Sequence, residues 1–248
     1  MTRIAVLSDI HGNLPALEAV AAEIRRQKPD AVLVAGDLVL NGPDPNGCVD
    51  ALRFLESEGA LIVSGNTDIA VGDLDYGSAF PQYQDGVPET VRAAVEWAHD
   101  ELGDDQLAWL RRLPAERRMR TADGTLVLVV HASPGSQTRG FDQVLDANVI
   151  FERAAGTDAR VICVGHTHLP EVRDLGFKVI VNDGSAGYVF DGDPTASWAV
   201  VDVHDGNVSA EIRRTPFDNL VVANAISARG LPGDVYRAAT VRTGKLVR

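Results

Sequence analysis

Arg3-Ile4-Ala5-Val6-Leu7-Ser8-Asp9-Ile10-His11-Gly12-Asn13 starts on a short, wholly apolar run and ends on a carboxylate and an imidazole. Ile4 to Leu7 alone fits a buried strand and a buried helical turn equally, because periodicity does not separate them over so short a run. The next twenty residues decide between them. Ser8 and Gly12-Asn13 break the run, and Leu14 to Lys28 then sets Leu17, Val20, Ala21 and Ile24 on one helical face, with Pro15 in the first turn. Pro29-Asp30 ends that helix, and Ala31 to Ala35 is a second apolar strand, so the chain begins strand–helix–strand, a parallel crossover. In such sheets chemistry gathers outside the carboxyl ends of the strands. Asp9 and His11 stand there. One Asp-x-His is weak evidence for a metal; the argument needs recurrence.

It recurs. The second strand ends in Gly36-Asp37. Leu40 to Pro45 is loop by its Gly and Pro content, Val49 to Glu58 is helix, and a third strand, Leu61 to Val63, ends in Gly65-Asn66-Thr67-Asp68. Residues 69–87 carry no steady period and read as a loop over one face of the sheet. Pro88 to Leu102 and Asp104 to Leu113 are helices. Arg118 to Ala122 and Thr125 to Val130 flank Asp123-Gly124 as a hairpin with His131 at its far end. Asp142 to Ala155 reads as helix, and the strand Val161 to Val164 closes in Gly165-His166-Thr167-His168. From Glu171 the period is two, giving strands at Val172, Phe177 to Val181, Ala196 to Val203 and Asn207 to Ile212. The expected organisation is one domain over residues 1–248, with a parallel N-terminal half and an antiparallel C-terminal half. Its core runs to about residue 213, and residues 214–248 form an extension with weak helix signals among Gly and Pro.

Composition narrows the function classes. With 248 residues, 45% hydrophobic and 23% charged, the chain is an ordinary globular sequence. A net charge of −12 disfavours a nucleic acid polymer as partner. An acidic protein still handles phosphate where bound cations reverse the local sign. Cys48 and Cys163 make no disulfide framework and read as small buried hydrophobes. No signal peptide is apparent at the N-terminus, and no apolar run approaches the ~20 residues that span a bilayer, so a cytoplasmic location without membrane contact is expected.

The strand ends carry Asp9/His11, Asp37, Asn66, His131 and His166/His168, and four of the six histidines of the chain fall on them. Histidines of core or surface have no reason to gather so. The set is oxygen and imidazole without thiolate, which suits Mn²⁺, Fe²⁺ or Zn²⁺. It exceeds what one such ion needs and fits two if a carboxylate is shared. Two ions about 3.5–4 Å apart hold a hydroxide between them and clamp a phosphoryl oxygen for in-line displacement.

In this order, Asp-x-His, Gly-Asp, Gly-Asn-x-Asp, His and Gly-His-Thr-His resemble the motifs of the calcineurin-like metallophosphoesterase superfamily. The spacing, with Asp191-Gly192-Asp193-Pro194, is most similar to its small bacterial and archaeal phosphodiesterase branch, and the likeness covers residues 1 to about 213. It implies an α/β fold, a four-layer α/β/β/α sandwich of two mixed sheets. It implies a cofactor of two divalent transition-metal ions, the first held by Asp9, His11 and His168, the second by Asn66, His131 and His166, with Asp37 bridging. Asp37, Asn66 and Asp68 are then the catalytic set, acting on a small-molecule phosphate ester, a diester before a monoester. One departure stands out: many members carry His after the motif Asn, where it protonates the leaving group, and here the residue is Thr67. A hydroxyl donates a hydrogen bond but is no general acid near neutral pH. The small prokaryotic branch often lacks that His too.

Asn41, Thr67, Arg139 and Tyr188 are the candidate substrate contacts; His99 and His204 read as solvated or structural. Two other readings compete: a monoesterase or protein phosphatase-like hydrolase, and a protein-binding scaffold on the same fold. The scaffold branch tends to lose the ligands kept here. A homo-oligomer, if one forms, is expected to use residues 69–87 or the C-terminal tail.

Overall fold

The computed structural model describes residues 1–248. β1 (Thr2–Leu7) and β2 (Ala31–Val34) pair in parallel, Ile4 opposite Ala31 and Leu7 opposite Val34. Between them α1 (Leu14–Gln27) buries Ala16, Leu17, Val20, Ala21 and Ile24, the face its period predicts. Asn13 caps it by accepting from the Ala16 N–H at 3.2 Å, and left-handed Lys28 ends it. α2 (Pro45–Ser57) begins at Pro45 and not at Val49, because Asp44 accepts from the Gly47 N–H at 2.8 Å and proline is tolerated in a first turn. β3 (Leu61–Ile62) comes next.

Two five-stranded sheets result. The second sheet holds β4 (Glu116–Arg120), β5 (Leu126–Val130), β6 (Val161–Val164), β7 (Glu171–Asp174) and β8 (Val179–Asn182), in the order β4-β5-β6-β8-β7. β9 (Ala196–His204) and β10 (Asn207–Thr215) return to the first, whose order is β10-β9-β1-β2-β3. Both are mixed. The expected split into parallel and antiparallel halves is therefore corrected: β9 runs antiparallel to β1, while β5, β6 and β8 are mutually parallel. A period of two reports which face is buried, not which way the neighbouring strand runs.

Ile4, Val6 and Leu33 of the first sheet face Val127, Val129 and Cys163 of the second across an apolar inter-sheet core. The alternate residues Leu7 and Val34 pack under α1, α2 and the other helices of that side. Leu128, Ile162 and Val164 pack under α7 (Ala147–Ala155) through Ile150 and Ala154. The layers are α/β/β/α. Each sheet is covered on both faces, which is why β1, β5 and β6 read as unbroken apolar runs. Cys48 and Cys163 are free and buried in this packing.

The loop expected over residues 69–87 is corrected as well. α3 (Asn66–Asp73) starts on Asn66, and α4 (Tyr76–Ala79) adds a turn of helix. α3 buries Asn66, Thr67, Asp68, Ala70, Val71 and Gly72, so it has no exposed stripe from which a helical period is read. α5 (Glu89–Glu101) and α6 (Asp104–Arg111) lie as expected, whereas α7 starts at Ala147, capped by Asp146, rather than at Asp142. The weak signals of the last residues resolve into α8 (Asn219–Arg229) and α9 (Asp234–Thr243), which pack Val222, Ile226, Ala238 and Val241 with Tyr188. No helix is long and apolar enough to cross a membrane.

Candidate metal centre

The chain leaves β1 through Asp9 and His11, β2 through Asp37, β5 through His131 and β6 through His166 and His168, and these ends meet. His11 Nε2 lies 3.2 Å from His168 Nε2, which lies 3.2 Å from Asp9 Oδ1. Asp37 Oδ2 is 3.6 Å from His11 Nε2. Its other oxygen, Oδ1, is 3.4 Å from His131 Nε2. His131 Nε2 in turn stands 3.1 Å from Asn66 Oδ1 and 3.2 Å from His166 Nδ1. All seven residues singled out as ligands are thus gathered, in two groups with Asp37 between them.

The residues fit a divalent cation. His11 Nδ1 lies 2.9 Å from the Leu40 carbonyl, His131 Nδ1 lies 2.7 Å from the Ala35 carbonyl, and His168 Nδ1 bonds the Tyr188 carbonyl. Each carbonyl can only accept, so each Nδ1 donates and each Nε2 keeps its lone pair for the centre. Two imidazole acceptors at 3.2 Å repel unless a cation joins them. Asp9 Oδ1 is buried with no hydrogen-bond partner, a costly arrangement that a cation relieves. Ligand atoms of Asp9, His11, Asp37 and His168 all lie within 4.8 Å of one another. Burial raises the Asp37 carboxyl, yet positive charge on the imidazoles beside it, His131 foremost, outweighs burial and holds it below the usual carboxylate range, a role a cation would take over on displacing those protons.

The backbone is bent to present these groups. Asp9 and His11 (φ 51°), Asp37 (57°), His166 (71°) and His168 (58°) all adopt the left-handed region. That conformation costs a non-glycine residue about 1–2 kcal/mol, and sites of function are where it is retained. Interlocking bonds sustain it: Asp9 N–H donates to Gly36 O at 2.9 Å, and His11 N–H to Asp37 O at 3.0 Å. Asp68 serves the same end. Its carboxylate accepts from the N–H groups of Asp37 (2.9 Å), Leu38 (2.8 Å) and Gly65 (2.8 Å). It therefore positions the Asp37 loop rather than facing substrate. A Cβ on Gly65 would come within 2.1 Å of Asp37 Oδ1, and one on Gly165 within 2.2 Å of Asp9 Oδ2. The glycines before Asn66 and His166 are thereby explained.

A cavity of about 650 Å³ opens over the centre, with His11, Asp37, Asn66, His166 and His168 in its lining. Asn41, Thr67 and Tyr188 line it too. The Thr67 hydroxyl is buried without a partner, while its N–H donates to Asp37 Oδ1 at 2.9 Å. Arg139 is absent from that lining: it is exposed beside a separate cavity with Ser133, Glu152 and Arg153. His99 bonds the Val71 carbonyl and His204 sits exposed by Asp205, both away from the centre.

Sequence reasoning missed several supports. Ser8 Oγ donates to Asp9 Oδ2 at 2.6 Å, and Ser185 Oγ to Asp9 O at 2.7 Å. Arg229 donates to Gly42 O at 2.7 Å and Asn41 O at 2.8 Å, and Arg237 Nε to Asn41 Oδ1 at 3.1 Å. Both guanidiniums pair with Asp234, at 2.7 and 3.1 Å, all three side chains being buried. Arg229 also lies over the Trp97 ring, 4.5 Å from its centroid. No local pattern marks Ser185, Arg229 or Arg237 as supports, since Asp9, Asn41 and Gly42 are remote from them in the chain.

Comparison with known proteins agrees with this geometry. The family profile of the calcineurin-like phosphoesterase superfamily domain matches residues 2–206. The crystal structure of a metallophosphoesterase from Sphaerobacter thermophilus is similar at 28% identity and TM-score 0.74, over 98% of this chain and 99% of that one. A hypothetical protein, PH1004, from Pyrococcus horikoshii OT3 shares the fold, with TM-score 0.83 at 21% identity over 98% and 99% of the two chains. The uncharacterized protein MJ0912 of Methanocaldococcus jannaschii is 29% identical over 232 residues, 87% of this chain and 88% of that protein.

Proposed function

Since this chain belongs to the calcineurin-like phosphoesterase superfamily, we propose that it hydrolyses phosphodiesters of small molecules at a centre of two divalent transition-metal ions, manganese, iron or zinc. The observation that carries the reading is Asp37, which turns Oδ2 to one group of donors and Oδ1 to the other. Asp9, His11 and His168 would hold one ion, and Asn66, His131 and His166 the other, with Asp37 shared. Bound there, divalent cations supply Lewis-acid polarisation of a phosphoryl oxygen and lower the pKa of a water.

The chain's own residues do the rest. Carbonyls of Leu40 and Ala35 orient His11 and His131, and Asp68 holds the Asp37 loop in its left-handed turn. The unpartnered Thr67 hydroxyl, in the cavity wall, donates to a non-bridging oxygen of the ester. It does not protonate a leaving alkoxide. The reaction therefore favours leaving groups that depart unprotonated, such as nitrophenolate, over simple alkoxides.

Stripping the protein of metal and restoring Mn²⁺ should restore cleavage of bis(nitrophenyl) phosphate, with nitrophenyl phosphate cleaved more slowly. Tight uptake of two ions with no turnover of either ester would contradict catalysis and favour a regulatory role. Failure to take up metal would favour the protein-binding scaffold. Thr67→His should change relative rates across leaving groups of different pKa, raising those of poor leaving groups by about 100-fold, the lower end of what a positioned acid contributes. Equal relative rates in the two proteins would refute the role given to position 67.

A further inference from the structure

The cavity over the centre has more wall than a phosphate needs, and part of that wall lies beyond the family-matched residues. Leu246 and Arg248 line it, together with Phe80, Tyr83 and Phe190. They reach it on a fixed segment. Gly244 ends α9 in the left-handed conformation, and its carbonyl accepts from the Gly192 N–H at 2.7 Å. Val247 N–H donates to the buried Thr240 hydroxyl at 3.0 Å.

The two side chains bring chemistry that the rest of the cavity lacks. Arg248 is the only lysine or arginine in the lining, and the only side-chain carboxylate there, Asp37, is engaged by His11 and His131. Arg229 and Arg237 are spent on Asp234 and on backbone. Arg248 is thus the cation available to an anion in the cavity. Leu246 is 41% exposed, so its side chain keeps apolar area free for a ligand, and it shares the lining with an aromatic surface. That surface begins at the centre itself: Phe190 stacks on His168, centroids 4.1 Å apart and planes within 6°.

We propose that Leu246 and Arg248 select the substrate: Arg248 pairs with an anionic oxygen of the phosphoryl group, and Leu246 with the aromatics of the lining holds a flat apolar group of the ester. The preferred substrates are phosphate esters of aryl-bearing alcohols. The inference rests on the proposed phosphoester site, and its test separates the two.

Phenylphosphonate and methylphosphonate share the anion and differ in the apolar group, and neither is hydrolysed. Titrated by calorimetry into Mn²⁺-loaded protein, phenylphosphonate should bind about tenfold tighter, a preference that follows from the apolar area it buries. Leu246→Ala should remove most of that preference and leave methylphosphonate binding unchanged. Arg248→Met should weaken both ligands by about tenfold, the effect of one hydrogen bond to a charged group. Arg248→Lys should recover part of the loss, which a merely structural role would not do. Metal content and thermal midpoint, unchanged in all variants, verify the fold. Variants that bind both phosphonates as the parent protein does would overturn the inference, even with hydrolysis intact. Binding that tracks Arg248 and Leu246 in a protein that cleaves no ester would uphold it and overturn the hydrolase reading instead.

Discussion

Asp37→Asn should leave the fold standing and remove the reaction. The carboxylate faces two groups at once, His11 at 3.6 Å through Oδ2 and His131 at 3.4 Å through Oδ1. An amide keeps the shape but turns one oxygen into an NH₂ donor, so one group gains a donor where a cation must sit, and the centre loses a negative charge. Changes in the layer behind metal ligands already cost about 10–100-fold, so turnover here should fall by more than about 100-fold. Metal content, measured on the purified protein, should drop by at least one ion. Stability should change little, because Asp68 still holds the loop through Asp37 N–H, Leu38 N–H and Gly65 N–H. A variant that keeps both ions and near-parental turnover would show that Asp37 is not shared between two cations.

Why those ligands were legible, and their supports were not, comes down to where each signal lives in the chain. Each ligand sits directly after an apolar run: Asp9 after β1, Asp37 after β2, His131 after β5, His166 after β6. Parallel strands bring their carboxyl ends together, so a local pattern predicts a distant meeting. The Gly-Asn and Gly-His pairs were visible as motifs, but their reason, the approach of a carboxylate to within 2.1 and 2.2 Å of where a Cβ would stand, exists only in three dimensions. Strand direction was misread because alternation encodes burial alone, and α3 was missed because a helix buried nearly all round has no stripe. Arg139 was singled out for lying near His131 in sequence, yet that loop turns it toward Ser133 and Arg153. The cation that does reach the cavity, Arg248, lies far from every motif.

The same distance in sequence hides the buried triad of α8 and α9, and breaking it should have the largest effect on stability. Asp234 accepts from Arg229 at 2.7 Å and from Arg237 at 3.1 Å, and it also accepts from the Leu231 N–H at 3.1 Å. Asp234→Ala leaves two buried guanidiniums facing one another without their counter-ion. Removing one partner of a buried pair costs about 3–5 kcal/mol, which for a chain of this size lowers the thermal midpoint by about 6–20 °C. The damage should not stay local. Arg229 and Arg237 hold Asn41 and Gly42, Asn41 sits at φ 85°, and the neighbouring Leu40 carbonyl orients His11. Loosening that turn should weaken Mn²⁺ binding at the His11 group by about 10–100-fold, as for other changes behind a ligand. A triple variant, Asp234→Ala with Arg229→Met and Arg237→Met, separates charge from position. It should recover much of the midpoint, because no uncompensated charge remains, yet keep the weakened metal binding, because nothing then holds Asn41. Recovery of both together would mean that α8 and α9 stabilise the fold without positioning the centre.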